Sequence, residues 1–334
     1  MKSLKLSVTL IAVLAVLLCW GCSKNSTDSG GNGNGAPPRP PGVLYFSSAN
    51  PARIYQYDIP ADRLQALADE NQSPTDFSVS YDGGAMAYIS GDSLIGVIDL
   101  PTGNRAFFTP PERPGEGIAV DHNGGLAAFT ARRDSGSVIA LLNIPGGIFT
   151  NFTGDPQVNA AAPCFSRQGF PLAWRQNDGL YIRSGLNGAN IRLDSQPQTP
   201  RDFSPAGGFL AVEAGKVFDL AFQSAILTVF NGSPRFLDER TVLYQDNHTH
   251  IIYKSGLDAT SVEAVTGVLQ PAAVFAPSPD GRFLAYFHTV SDSTRLIIQN
   301  LAEKRNVLEK TLFSGGNTTV ETAFWRNKPI EKRR

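Results

Sequence analysis

The sequence lacks an excess of either charge. Its 334 residues include 29 lysine and arginine residues against 30 aspartate and glutamate residues, a formal net charge of −1. Nucleic-acid-binding proteins need a positive field, commonly a basic stripe interleaved with aromatic side chains. This chain has no such stripe, and its sequence therefore predicts no nucleic-acid partner.

Cysteine, histidine and catalytic motifs are also scarce. The chain has 3 cysteines and 4 histidines, and it contains no Gly-x-Ser-x-Gly nucleophile elbow. The glycine-rich stretch at residues 31–35 follows no predicted strand and precedes no predicted helix, so it lacks the setting of a phosphate-binding loop. The sequence accordingly predicts no catalytic residue, no cofactor and a protein that is not an enzyme.

Apolar runs are too short for a confident membrane span. The longest, Leu6–Leu18, follows Lys2 and Lys5, which matches the basic region and hydrophobic core of a secretory signal. The run ends in Leu17-Leu18-Cys19-Trp20-Gly21-Cys22. This ending resembles the lipobox of bacterial lipoprotein precursors, in which a small residue precedes the lipidated cysteine.

The lipobox resemblance implies signal cleavage between Gly21 and Cys22 and lipidation of Cys22, which would attach the chain to a membrane. Residues 1–21 are then the signal peptide. A cleaved signal without lipid and an uncleaved anchor are the alternatives, and each exports the domain. Ser23, in place of the aspartate of retained lipoproteins, implies sorting to the outer membrane of the cell envelope.

A tether is predicted after the signal. Residues 23–35 contain no apolar side chain to bury, and residues 36–42 include four prolines. The first composition is typical of a flexible linker and the second of a stiffer, extended one. Residues 22–42 are therefore predicted to hold the following domain away from the membrane surface.

The rest of the chain has the composition of an all-β domain. It contributes most of the 32 glycines and 23 prolines, and only 18% of all residues are charged. Many short strands joined by turns are expected from such a sequence.

An internal repeat organises residues 43–326. Its clearest copy runs from Val274 to Tyr286, in which Ser278-Pro279-Asp280-Gly281 forms a turn between two apolar segments, and a third segment follows at Leu296–Ile298. Apolar markers of the first strand recur 33 to 49 residues apart, close to the period of four-stranded propeller blades. They are Phe77, Ile118, Phe165, Phe203, Phe236, Phe275 and Phe324.

The two ends of the repeat region are complementary. Val43–Phe46 and Ile54–Tyr57 match second and third strands without a first, whereas Thr322–Trp325 matches a first strand without the others. The C-terminal strand is therefore predicted to complete the first blade and close a ring. The sequence predicts a β-propeller of four-stranded blades, with seven blades favoured over six or eight.

The Ser278–Gly281 copy and its degenerate relatives resemble the TolB-type β-propeller repeat, also called the WD-like or PD repeat. The resemblance covers residues 43–326 and implies the fold of bacterial periplasmic propellers. It does not carry over the partner of TolB, because the chain has a tether where TolB has an additional domain. Residues 327–334 are left as a basic C-terminal tail.

A few further residues are candidates for a site. His248 and His250 could place two imidazoles on one face of a strand as metal ligands, although a polar loop is the favoured interpretation. Trp174-Arg175 and Trp325-Arg326 could anchor a partner through cation–π contacts, with blade packing favoured for both tryptophans. Cys164 is expected to be a structural thiol.

The sequence thus favours a membrane-anchored lipoprotein of the cell envelope whose propeller is a non-enzymatic module that binds a protein or glycan. The alternative is an enzyme or small-ligand binder, similar to propeller lactonases or dehydrogenases, with a site in the central channel.

Overall fold

The computed structural model describes residues 39–91, 93–154, 158–271, 273–315 and 318–328. Gly21, Cys22 and most of the predicted tether lie outside these residues, as does the tail from residue 329 onward. No helix among the described residues is long and apolar enough to cross a membrane.

Seven four-stranded antiparallel sheets make up the described domain. The first blade has the strand order β28 (Val320–Arg326), β1 (Val43–Ser48), β2 (Arg53–Asp58) and β3 (Arg63–Ala68). The other blades follow in chain order. Blade 2 is β4 (Pro74–Val79), β5 (Ala85–Ser90), β6 (Leu94–Asp99) and β7 (Arg105–Phe108), and blade 3 is β8 (Arg113–Val120), β9 (Leu126–Arg133), β10 (Gly136–Asn143) and β11 (Ile148–Asn151).

Blades 4 to 7 have the same plan. Blade 4 is β12 (Ala161–Ser166), β13 (Gly169–Gln176), β14 (Gly179–Arg183) and β15 (Ile191–Asp194), and blade 5 is β16 (Pro200–Phe203), β17 (Phe209–Val212), β18 (Lys216–Asp219) and β19 (Ser224–Val229). Blade 6 is β20 (Arg235–Phe236), β21 (Thr241–Gln245), β22 (Ile252–Gly256) and β23 (Val262–Ala264), and blade 7 is β24 (Phe275–Pro277), β25 (Phe283–Val290), β26 (Ser293–Asn300) and β27 (Arg305–Ser314).

The ring closes in the first blade. Strand β28 pairs with β1, and its Phe324 and Trp325 lie opposite Tyr45 and Leu44. The structure therefore confirms the predicted seven-bladed propeller and the closure by the C-terminal strand, and excludes the six- and eight-bladed alternatives.

Apolar clusters fill the spaces between neighbouring blades. The described residues form seven such clusters, one for each junction around the ring. Blades packed on both faces need strands that are apolar on both faces, so the second strands have continuous apolar runs rather than alternating ones. The alanines of these strands are fully buried and let the sheets approach closely; they include Ala87, Ala128, Ala173, Ala211 and Ala285.

The turn between the first and second strands is built by the repeat itself. In blade 7 the Ser278 hydroxyl donates to Asp280 Oδ1 at 2.6 Å and accepts from Phe283 N at 2.9 Å. Gly281 has φ +67°, a conformation that favours glycine. Ser80, Asp82 and Gly83 repeat the same bonds in blade 2. In these two blades the turn fixes which residue is presented at one end of the ring.

Candidate binding channel

A central channel runs between the first strands of the seven blades. Residues of β28, β4, β8, β12, β16, β20 and β24 all line its cavity, which has a volume of about 440 Å³. One end is bordered by the residues that follow these strands. We call this end the channel mouth; Tyr81, His122, Arg167, Pro205 and Pro279 border it.

The cavity lining is more positive than the chain as a whole. Four arginines line it, Arg167, Arg201, Arg235 and Arg326, against two aspartates, Asp76 and Asp202. The complete chain has a formal net charge of −1. An excess of guanidinium groups in a concave site favours negatively charged ligands.

At the channel mouth two guanidinium groups lie over one aromatic ring. Arg326 Cζ is 4.3 Å and Arg167 Cζ is 5.4 Å from the centroid of the Tyr81 ring. Both distances are within the range of cation–π attraction, which grows when the cation is removed from water. Tyr81, Arg167 and Arg326, together with Asp202, are the arginine–tyrosine cluster.

Asp202 joins this cluster across three blades. Its carboxylate accepts a hydrogen bond from the Tyr81 hydroxyl of blade 2 at 3.3 Å and pairs with the Arg167 guanidinium of blade 4 at 3.3 Å. The carboxylate also accepts from Phe236 N of blade 6 at 2.8 Å. A buried carboxylate with three donors is well satisfied, so Asp202 links blades around the channel.

Arg326 has a different set of partners. Its guanidinium donates to the carbonyl oxygens of Val79, Ser80 and Trp325 at 3.1 to 3.3 Å. Among the described residues, no carboxylate forms an ion pair with it. Burial lowers its pKa, but an arginine remains protonated in proteins. Arg326 is therefore a half-buried cation whose described acceptors are all neutral.

Two groups of the channel that could in principle act as nucleophiles are held neutral. Burial and the nearby Asp202 raise the pKa of the Tyr81 phenol to about 12. The same two causes raise the pKa of the Cys164 thiol to about 12. A thiol is nucleophilic as the thiolate, so Cys164 is suited to a structural position in the channel wall.

Asp76 lines the cavity nearer the end opposite the channel mouth. Burial raises its carboxyl pKa to about 6, even though Phe77 N, Gly117 N and Ile118 N donate to it at 2.8 to 3.2 Å. Gly117 and Ile118 belong to the first strand of the next blade. Asp76 therefore links blades 2 and 3 and titrates near neutral pH.

The sequence indicates Arg326 as a candidate for cation–π contacts, but it does not predict the arginine–tyrosine cluster. Its members come from four blades and meet only because the ring closes. Aligning the repeat copies by their turn serine would have indicated two of them. The residue after this serine is proline in blades 5 and 7, but Tyr81 in blade 2 and Arg167 in blade 4. Both tryptophans considered as partner anchors are buried in blade packing, as favoured; they are Trp174 and Trp325.

His248 lies in a turn and His250 directly after it, which agrees with the favoured polar loop and not with two ligands on one face of a strand. Asp246 Oδ1 accepts from His248 N at 2.9 Å and from Thr249 N at 2.7 Å, which holds the chain in a turn before β22. His248 Nδ1 is 2.5 Å from Asn231 Nδ2. The described residues contain no group of three potential metal ligands, at this turn or elsewhere.

Comparison with known proteins shows similarity in structure alone. No family model matches the chain, and no curated protein matches its sequence. TolB from Acinetobacter baumannii is similar at 14% identity and a TM-score of 0.56, over 86% of this chain and 67% of that one.

Two other solved structures share the architecture. The dihydro-heme d1 dehydrogenase NirN, solved in complex with DHE, has 13% identity and a TM-score of 0.58, over 86% of this chain and 75% of its own. The β-propeller domain of Cps50 (Swd1) from Myceliophteria thermophila has 13% identity and a TM-score of 0.54, over 73% and 87%. These similarities confirm the fold that the TolB-type repeat implied.

Proposed function

We propose that this chain is a non-enzymatic binding module of the cell envelope, which holds a protein partner at the channel mouth. The arginine–tyrosine cluster carries the proposal. Arginine and tyrosine are among the side chains that most often dominate binding energy at protein interfaces, especially where they are shielded from water. Here they border a concave site in a rigid ring.

The envelope location is supported by the sequence before the propeller. The basic start, the apolar run and Gly21-Cys22 resemble a lipoprotein signal, and a polar spacer precedes Val43. A spacer of this composition lets an anchored domain reach a partner away from the lipid surface. Metabolic labelling with a palmitate analogue tests the anchor: the native chain is expected to carry the label, and Cys22→Ser is not. A native chain without label contradicts lipid anchoring.

Site-specific photo-cross-linking in the native envelope tests the partner. The photoreactive residue replaces His122, which is exposed and borders the channel mouth. The matched control replaces Phe222, which is 80% exposed in the turn before the outermost strand of blade 5. A discrete protein adduct from position 122 but not from position 222 is expected. Equal labelling from both positions rules out the channel mouth as the contact face.

Removal of Arg326 makes this experiment specific to the cluster. The adduct from position 122 is expected to weaken in Arg326→Gln and to persist in Arg282→Gln, because the Arg282 side chain is 73% exposed and does not line the channel. If the adduct contains a glycan rather than a protein, the partner is an envelope glycan.

A second candidate function is a small-ligand binder or enzyme of the channel. It is favoured by Asp76, a carboxyl of the cavity wall with a pKa of about 6, which can exchange a proton near neutral pH. NirN shows that a propeller of this general fold occurs with a bound small molecule. Thermal-shift screening with metals and sugars distinguishes this candidate, because a ligand of the folded state raises the apparent stability.

A further inference from the structure

We propose that the channel mouth binds a carboxylate group through the guanidinium groups of Arg167 and Arg326. This inference rests on the proposed binding role of the channel mouth and specifies the chemistry that is recognised there. The ligand carboxylate belongs either to a small organic acid or to an acidic side chain of the partner.

Charge is the first argument. The cluster contains two guanidinium groups and one carboxylate, that of Asp202, and the pKa of Tyr81 keeps its phenol neutral. Asp202 is already shared between Arg167, Tyr81 and Phe236 N. An unpaired charge is costly when removed from water, so one additional negative charge is favourable at this position.

Unused hydrogen-bonding capacity is the second argument. Arg167 Nε is buried and has no hydrogen-bond partner among the described residues. Its Nη2 atom donates to Phe236 O at 2.8 Å and to Asp202 at 3.3 Å. A guanidinium offers five N–H donors in a planar arrangement that matches the two oxygens of a carboxylate.

Size and charge together favour a carboxylate over phosphate. The cavity of about 440 Å³ lies in the range of small-molecule sites, so an acid of a few carbon atoms or one acidic side chain fits. The cluster has one more guanidinium group than carboxylates, and the single charge of a ligand carboxylate neutralises this excess. A phosphate near neutral pH places more than one negative charge on a single group beside Asp202, whereas each carboxylate group of an organic acid carries only one.

The opposite end of the channel does not offer the same excess. There Arg201 pairs with Glu213, and Arg133 pairs with Glu112 at 2.7 Å. Glu116 and Asp134 line the same cavity end. The lining of this end has as many carboxylates as arginines, whereas Arg326 at the channel mouth has no carboxylate partner among the described residues. The proposal is therefore restricted to the channel mouth.

Isothermal titration calorimetry on the full chain tests the proposal at constant ionic strength. The probes are sodium succinate, a hexaglutamate peptide, inorganic phosphate and succinamide as the neutral analogue of succinate. Succinate or the peptide is expected to bind, and succinamide is not. Binding of succinate alone indicates a small organic acid, and binding of the peptide alone indicates an acidic segment of a partner; each outcome supports the proposal.

Variants connect the binding to the two arginines. Arg326→Gln and Arg167→Gln are each expected to weaken carboxylate binding at least about tenfold, because each removes charged hydrogen bonds. Arg326→Lys keeps the charge and is expected to retain part of the affinity. Arg282→Gln is the matched control and is expected to bind like the native chain. Thermal melts monitored by circular dichroism identify any variant that is unfolded. If Arg326→Gln is unfolded, the affinity of Arg326→Lys is used to test the role of this arginine.

Three results overturn the proposal: no binding of either carboxylate probe to the native chain, unchanged affinity in folded Arg326→Gln, or tighter binding of phosphate than of succinate. The cross-linking experiment is independent of these results. If a partner adduct forms at position 122 but no carboxylate binds, the carboxylate proposal is rejected and the proposed binding function is retained. If a carboxylate binds but no adduct forms, the proposed protein partner is rejected.

Discussion

One position of the repeat differs between two parts of the ring. The residue after the turn serine is Pro205 in blade 5 and Pro279 in blade 7, but Tyr81 in blade 2 and Arg167 in blade 4. The turns of blades 2, 5 and 7 are alike, because in each the serine hydroxyl accepts from a backbone amide and a glycine has a positive φ. In blade 4 the Ser166 hydroxyl donates to backbone carbonyl oxygens, but a glycine with a positive φ again completes the turn. Tyrosine and arginine are therefore not needed for the turn, and their side chains are available for the channel mouth.

The largest effect is expected from Asp202, which connects the two parts of the ring. Asp202→Ala removes the carboxylate that pairs with Arg167 and accepts from Phe236 N. Loss of one partner of a buried pair is expected to lower the free energy of unfolding by about 3–5 kcal/mol. Urea denaturation measures this loss in the free energy of unfolding. Pro279→Ala, at an exposed turn, is the control with an effect below about 1 kcal/mol. Equal losses in both variants contradict a special role of the cluster.

The second prediction concerns pH and Asp76. Because the folded-state pKa of about 6 is above the value of 3.8 for an unperturbed aspartate, the folded chain binds this proton more tightly than the unfolded chain. The contribution of Asp76 to stability is therefore greatest below about pH 4, declines as pH rises, and is lost above about pH 6. The full change is on the order of 2–3 kcal/mol.

Urea denaturation between pH 4 and pH 7 checks this prediction. The native chain is expected to lose stability relative to Asp76→Asn across that interval. Asp62 and Asp246 have pKa values lowered to about 2, so their contributions to stability change below pH 4 and in the opposite direction. They therefore do not mask the effect of Asp76 between pH 4 and pH 7. Parallel pH profiles of the native chain and Asp76→Asn would show that Asp76 does not titrate in this interval.

Much of the fold could be predicted because the repeat is local. The turn serine, the glycine and the small residue between bulky ones recur within a few positions, and each has a direct structural cause. The sequence does not fix the number of blades, because blade 6 lacks the glycine turn. The structure shows that Asp238 closes that turn instead, by accepting from Arg240 N at 2.9 Å and Thr241 N at 2.8 Å.

The candidate site could not be predicted, since its contacts are between distant parts of the chain. Tyr81 and Asp202 are 121 residues apart, and Arg326 reaches Ser80 from 246 residues away. No local motif relates such residues before the ring is closed. The same holds for Glu239, which lies in the turn of blade 6 but bonds to blade 5.

Glu239 leads to the third prediction, because it replaces an aspartate that the blade 5 turn lacks. Ala206 stands where blade 7 has Asp280, and Glu239 accepts from Ser204 Oγ at 2.7 Å and from Ala206 N at 2.8 Å. Glu239→Ala is expected to cost about 1–2 kcal/mol, since two hydrogen bonds are lost. The double variant Ala206→Asp/Glu239→Ala is expected to regain most of that loss in urea denaturation. Failure of this rescue contradicts the replacement.

The smallest effect is expected from the Tyr81 hydroxyl. Tyr81→Phe removes one long hydrogen bond of 3.3 Å to Asp202 but keeps the ring under both guanidinium groups. A loss of about 0.5–1 kcal/mol is therefore expected from urea denaturation, whereas Tyr81→Leu, which also removes the cation–π contacts, is expected to lose more. If Tyr81→Phe and Tyr81→Leu are equally stable, the ring does not stabilise the two arginines. The contrast between tyrosine and proline at this position would then concern ligand binding alone.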